Sequence, residues 1–269
     1  MDQVPCKRQR DYSIFARFIL LVPIVVLLTA CELFLDYRGV GYGILDHQYQ
    51  IDSQTILSSI RHGEKDIFNL IDATPGPISN DSGIPVLWTQ EDYLLIAQSI
   101  HELIWQESMD QSMDLAKLIF CLDCGEVNFG PQIAQIQLHK LIGEKKEIGK
   151  ENRYIVIAPK ANLVYITDYI YQPVLRKDWG SIDLSNVKIS AEEALQIAEL
   201  SGGKEMRAET KNQCSIGIVI SADGDNSAWL IYYTTEVEDP SLSVEFRIDS
   251  VTGECKNYEK PIFFDPRIE

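Results

Sequence analysis

Positive charge is in short supply: 24 Lys and Arg stand against 40 Asp and Glu in 269 residues, a formal net charge of −16. Such a surface repels phosphate backbones and anionic headgroups, so nucleic acid is not an expected partner. Histidine is scarcer still. His47, His62, His101 and His139 fall in no HxxxH or HExxH spacing, so they read as surface or helix-face residues, and no metal or other cofactor is expected. No Gly-x-Ser-x-Gly elbow surrounds Ser221, Ser227, Ser241 or Ser243, and Ser-x-x-Lys with its supporting motifs is missing. Nucleophilic catalysis therefore has no support, and the chain is read as a non-enzyme.

One apolar run stands out, Phe18 to Ala30, preceded by Lys7, Arg8, Arg10 and Arg17. As a helix it covers roughly 20 Å of a hydrocarbon core about 30 Å thick, and Pro23 interrupts it. It is too short to span and has the layout of a secretory leader. It ends in Leu28-Thr29-Ala30-Cys31, which resembles the lipobox of bacterial lipoproteins at every position. The resemblance implies diacylglyceryl attachment at Cys31, cleavage before it, and a chain held by its acyl groups on the extracytoplasmic face of a membrane. Removing residues 1–30 takes away four basic residues and two acidic ones, Asp2 and Asp11, and moves the net charge to −18.

Beyond the leader's Cys6 and the lipid site, Cys121, Cys124, Cys214 and Cys255 remain. Four cysteines bound for an oxidising compartment make disulfides the default. Cys121-Leu-Asp-Cys124 ends an apolar β run and precedes no helix, where a redox CxxC would open one. A structural bridge is the preferred reading, ahead of a redox pair and of zinc. The expected pairing is Cys121 with Cys124 and Cys214 with Cys255, the alternative being bridges that cross between the two halves.

The mature chain divides into a tether with short helices (31–85), a first α+β unit (86–185) and a second (186–269). Glu32 to Asp52 is of mixed character, and two short amphipathic helices are expected around Ile56 to Ile60 and Ile67 to Ile71. The turn-rich Ala73 to Gly83 marks a linker. Thr89-Gln-Glu-Asp92 opens a helix with an apolar face from Leu94 to Trp105. Strand-like runs follow at Leu118–Leu122, Ile133–Leu141, Tyr154–Ala158 and Leu163–Tyr171. The second unit repeats the order. Ser190-Ala-Glu-Glu193 is a capping box, Ala194 to Leu200 gives the helical stripe, and Gly202-Gly203 closes it. Four β runs come next, at Cys214–Ile220, Trp229–Thr234, Val244–Ile248 and Cys255–Tyr258. Turn chemistry separates them at Ala222-Asp-Gly-Asp-Asn226, a solvated turn in preference to a calcium loop, and at Asp249 to Gly253.

The helix Ile-Ser-Ala-Glu-Glu-Ala-Leu-Gln-Ile-Ala, the strand with Trp229, and Phe246-Arg-Ile-Asp-Ser-Val-Thr-Gly-Glu254 resemble the PepSY domain of bacterial envelope proteins over residues 188–258. That resemblance implies a small α+β unit with a protease-inhibitor or interaction role. Cys214 and Cys255 depart from the family pattern. The expected architecture is α+β, two units each with a helix packed on an antiparallel β-sheet, and the shared element order raises an internal duplication. The expected function is that of a membrane-anchored, non-catalytic binding module meeting an envelope protein or peptide. The alternatives are a PepSY-like inhibitor or chaperone-like role, and a thiol–disulfide enzyme using Cys121 and Cys124. Most aromatics from Tyr154 to Tyr233 are expected to pack cross-strand, with Trp179, Trp229 and Tyr232 the candidate binding surface.

Overall fold

The computed structural model describes residues 42–64, 66–71, 84–142, 149–171, 180–222, 228–235 and 244–258, all within one unit, Tyr37–Glu269. The leader, Cys31, Trp179, the 73–83 linker and the turn at 223–226 lie outside these residues.

Among the described residues ten strands form one antiparallel sheet. In chain order they are β1 (Tyr42–Gln50), β2 (Asn69–Ile71), β3 (Asp114–Asp123), β4 (Ile133–Ile142), β5 (Gly149–Ala158), β6 (Leu163–Tyr171), β7 (Cys214–Ser221), β8 (Ala228–Thr235), β9 (Val244–Asp249) and β10 (Cys255–Tyr258). Their spatial order is β10-β9-β8-β7-β3-β4-β5-β6-β1-β2. The eight strand runs expected from residue 118 onward are all present. The α+β class stands, but the sheet is continuous where two units were expected. β3 pairs with β7 from Lys117↔Ser221 to Asp123↔Ser215 and places Gly217 opposite Cys121.

Two expectations for the N-terminal part are corrected. Tyr42–Gln50, placed in the tether, pairs along its length with β6. Asn69–Ile71, expected within a second short helix, is a strand paired to β1. Both short segments carry too few apolar residues to declare a period, so the partner strand decides their conformation.

Among the described residues the helices are α1 (Ile56–Arg61), α2 (Gln90–Trp105), α3 (Met109–Ser112), α4 (Ala191–Ala198) and α5 (Lys204–Glu209). Both expected capping boxes form. Asp92 N donates to Thr89 Oγ1 at 3.3 Å and Thr89 N to Asp92 Oδ2 at 3.0 Å; Glu193 N donates to Ser190 Oγ at 3.2 Å and Ser190 N to Glu193 Oε2 at 2.8 Å. The two helix starts also cap one another. Gln90 N donates to Glu192 Oε1 at 2.6 Å, and Ala191 N donates to Gln90 Oε1 at 2.9 Å. Each interaction satisfies an amide that the helix itself leaves without a partner.

Tyr93, Ile96, Ala97 and Ile100 of α2 and Ala191, Ala194, Leu195 and Ala198 of α4 share one core with one face of the sheet, including Phe120, Ile136, Ile155, Ile218, Trp229 and Phe246. β3 and β7 sit mid-sheet and are buried on both faces, Ile119 and Val219 included. That is why they read as unbroken apolar runs and not as alternation. The expected stop at Gly202-Gly203 is a kink instead: Gly202, at φ 129°, breaks the α geometry inside a π turn at Glu199–Gly203, and α5 continues the chain. Gly203 lies under the Tyr233 ring, where a Cβ would overlap the phenol.

Candidate functional site

The cysteines pair differently from the sequence expectation. Cys124 is bonded to Cys214, with their Cα atoms 5.2 Å apart, while Cys121 and Cys255 take no part in that bond. Strand alternation explains the correction. Cys121 opposes Gly217 on the sheet face turned away from the helices, whereas Cys124 lies three residues on, in a 3₁₀ turn (Cys124–Phe129) folded into the helix-side core beside Cys214. An odd residue offset sends the two side chains of the CxxC to opposite sides. Cys255 opposes Ile248 on β9, which opposes Trp229 on β8, whereas Cys214 opposes Thr235 at the other end of β8. Three strand spacings and about six residues along a strand separate the two by more than ~20 Å, against a disulfide limit of ~7 Å between Cα atoms.

The expected binding surface is also revised. Trp229 is fully buried in the core and its indole N–H donates to Ile189 O at 2.8 Å, so it holds the entry to α4 and lines no groove. Tyr232, three residues further along β8, points to the opposite face and is half-buried; burial and then Glu245 push its phenol up to about 12. Tyr154 stacks on Tyr169 across β5 and β6 with ring centres 5.2 Å apart, and Gln137 Nε2 donates to the Tyr154 hydroxyl at 2.8 Å. This pair follows the cross-strand packing expected of the aromatics.

The most concentrated chemistry lies where no contiguous motif marks it. Arg153 on β5 is in phase with Ile155 and Ile157, so its guanidinium sits on the helix side of the sheet, 5 % exposed. It makes ion pairs with Glu107 through Nη1 at 2.6 Å and with Glu151 through Nη2 at 2.6 Å, and its Nε lies 3.8 Å from Asp168 Oδ2 on β6. Its plane lies over the Trp105 ring, 4.6 Å from the centre, a cation–π contact made in a partly dry site. Trp105 Nε1 in turn donates to Asp168 Oδ2 at 3.0 Å.

His101, one turn back on α2 and fully buried, completes the group. Its Nδ1 lies 3.0 Å from Glu107 O and its Nε2 lies 2.9 Å from Arg153 Nη1. A carbonyl accepts and a guanidinium donates, so the ring is neutral, with its proton on Nδ1. Burial holds the His101 pKa below the usual imidazole value, Arg153 adds to the lowering, and the Glu107 carbonyl and the nearby carboxylates oppose it. The Arg153 hydrogen bond holds Glu107 below the carboxylate range. Asp168 goes the other way, raised chiefly by burial, and its Oδ1 is buried with no hydrogen-bond partner. Of the histidines read as surface or helix-face residues, His101 is buried on the inner face of α2, whereas His139 is buried on β4.

A second polar group lies beside the disulfide. Arg207 on α5 pairs with Glu199, and its Nη1 donates to Cys124 O at 3.3 Å and to Asn212 Oδ1 at 3.1 Å. Tyr233 donates its hydroxyl to Glu199 Oε1 at 2.7 Å; burial, reinforced by that carboxylate, pushes its phenol far up. This group ties the π turn to the sheet and the 3₁₀ turn.

Among the described residues no set of three or more His, Cys, Asp or Glu is arranged to hold a metal ion, and no helix is long and apolar enough to cross a membrane. No family model, curated protein or solved structure matches the chain.

Proposed function

We propose that the protein is an extracytoplasmic lipoprotein, anchored through Cys31, whose folded part is a non-catalytic binding module for an envelope protein or peptide. The observation that carries the address is the short, basic-flanked apolar run ending in Leu28-Thr29-Ala30-Cys31. The Cys124–Cys214 bond is in keeping with an oxidising compartment. In this reading the sheet consists of two four-stranded meanders, β3–β6 and β7–β10, each led by its capped helix and joined through β3 and β7. The four-residue edge strand β10 bonds only to β9 among the described residues, and a partner strand could add there.

The test has two arms. Replacing Cys31 with Ala is expected to move the protein from the membrane to the soluble fraction and to abolish labelling by a fatty-acid analogue; retention on the membrane would sink the anchor. A photo-cross-linker at exposed Lys256 on β10 is expected to give one discrete partner adduct in cells, and one at exposed Gln98 on α2 is not. Equal adducts from both sites would remove the edge-strand proposal.

The PepSY-like alternative keeps some support, because α4 after its Ser190 cap, β8 with Trp229, and the β9–β10 hairpin all form where that resemblance needs them. An inhibitor would slow an envelope protease at equimolar amounts. The thiol–disulfide reading loses its geometric basis, since Cys124 is fully buried and bonded to Cys214.

A further inference from the structure

We infer that the connection between α2 and β3, Gln106–Met113, is held on the sheet by a proton-sensitive latch in which His101 is the sensor and Arg153 the clasp. This goes beyond the binding role proposed above and does not depend on it.

Three features meet at this connection. The first is the exclusive protonation state of His101, whose two ring nitrogens are committed to Glu107 O at 3.0 Å and Arg153 Nη1 at 2.9 Å. A proton added at Nε2 would set N–H against N–H and place two cations in contact. The ring must then leave Arg153. The second is the reach of Arg153, whose Nη1 also holds the Glu107 carboxylate at 2.6 Å. Displacing the guanidinium therefore loosens the start of the connection. The third is the connection itself. Gln106 occupies the left-handed region at φ 54°, a conformation disfavoured for a non-glycine residue. Beyond it α3 is a single turn with no fully buried residue and no side-chain cap. Such a segment opens before the core does.

The charges around the ring are accounted for on every side. Glu151 on β5 and Asp168 on β6 flank Arg153. Glu102 on α2 and Glu107 on the connection face His101, and Lys140 on β4 faces Glu107. The guanidinium stays charged throughout, and the Arg153 bond keeps Glu107 ionised. Asp168, raised by burial, also takes up a proton toward acid, in the wild-type chain and in a His101 variant alike, so the difference between the two isolates the imidazole. One proton drives the opening, so its equilibrium rises by at most tenfold per pH unit.

The test is hydrogen exchange of the intact protein from pH 7.5 to 4.5, corrected for the intrinsic pH dependence of exchange, with His101→Gln as the comparison. That variant keeps a donor and an acceptor and does not titrate. The reporters are the Gln106, Ser112 and Met113 amides, which donate to Glu102 O, Ser108 O and Met109 O; amides of β3 and β7 are the reference. In the wild-type chain the reporters should lose protection below pH ~6.5, approaching tenfold per unit, while the reference holds. The variant should lack the component that His101 contributes. The inference is overturned by unchanged reporters in the wild-type chain, by the same profile in both proteins, or by loss of reference protection in step with the reporters. Should the variant fail to fold, the wild-type chain still decides: the midpoint of the His101 ring resonance must coincide with that of exchange, and a mismatch overturns the latch.

Discussion

Replacing Cys124 and Cys214 together by alanine gives the sharpest check on how the chain is stapled. The two residues are 90 positions apart, and closing a loop of that size restricts the unfolded chain by about 4.6 kcal/mol in the chain-entropy model. The pairing expected from sequence divides the effect differently. The tight Cys121–Cys124 loop would contribute about 2 kcal/mol and a Cys214–Cys255 loop about 3.9 kcal/mol on the same formula. Both Cys124 and Cys214 lie in the core, so trimming each to alanine adds a small cavity cost of up to ~1 kcal/mol. Urea unfolding of the soluble part should therefore show the double variant destabilised by roughly 4 to 6 kcal/mol, while a Cys121→Ala, Cys255→Ala double variant keeps the bond and changes far less. An equal loss in both double variants, or none in the first, would refute the assigned pairing.

Further outcomes follow from particular contacts. Gly203→Ala pushes a methyl into the Tyr233 ring, which is buried and bonded to Glu199, and thermal unfolding should report a loss of about 1–3 kcal/mol. Ser190→Ala removes the cap that receives Glu193 N and should cost about 1 kcal/mol in the same assay. His101 carries a lowered folded-state pKa, so the unfolded chain takes up its proton first. Its contribution to stability is present above the ordinary value of about 6.5 and is lost as pH falls below it; a denaturation series on His101→Gln should lack that component. Asp168 has the opposite sign: its raised folded-state pKa means that its ionisation weakens the fold as pH rises through that value. Asp168→Asn keeps an acceptor for Trp105 and should raise the unfolding midpoint at pH 7 more than at pH 4. The reverse order would place the balance of charges around Arg153 elsewhere.

The elements whose causes are local were the legible ones. Thr89 with Asp92 and Ser190 with Glu193 announce two helix starts, and apolar alternation or continuity marks all eight strands from β3 to β10. β1 and β2 were missed because their conformation is set by the strand alongside and not by their own pattern. The disulfide was missed for a related reason. Cys121 and Cys124 are near in sequence, but strand alternation separates them, while β3–β7 pairing brings Cys124 to Cys214. Loop length alone carries none of that geometry. The Arg153 group did leave a trace: Arg153 is in register with Ile155 and Ile157, Asp168 with Val164 and Ile166, and His101 lies on the stripe of Ala97 and Ile100. Charged or titratable residues in phase with a core face were the available signal, and a search for contiguous motifs passes over them. Trp229 shows the converse error, an aromatic that fills the core where a surface was expected.

The central claim, a chain processed and lipidated at Cys31, is tested most directly by the intact mass of the protein extracted from membranes. The expected species is a chain beginning at Cys31 with a diacylglyceryl group on its sulfur, the Cys124 and Cys214 peptides joined until reduction. A chain that still begins at Met1, with Cys31 unmodified, would contradict it.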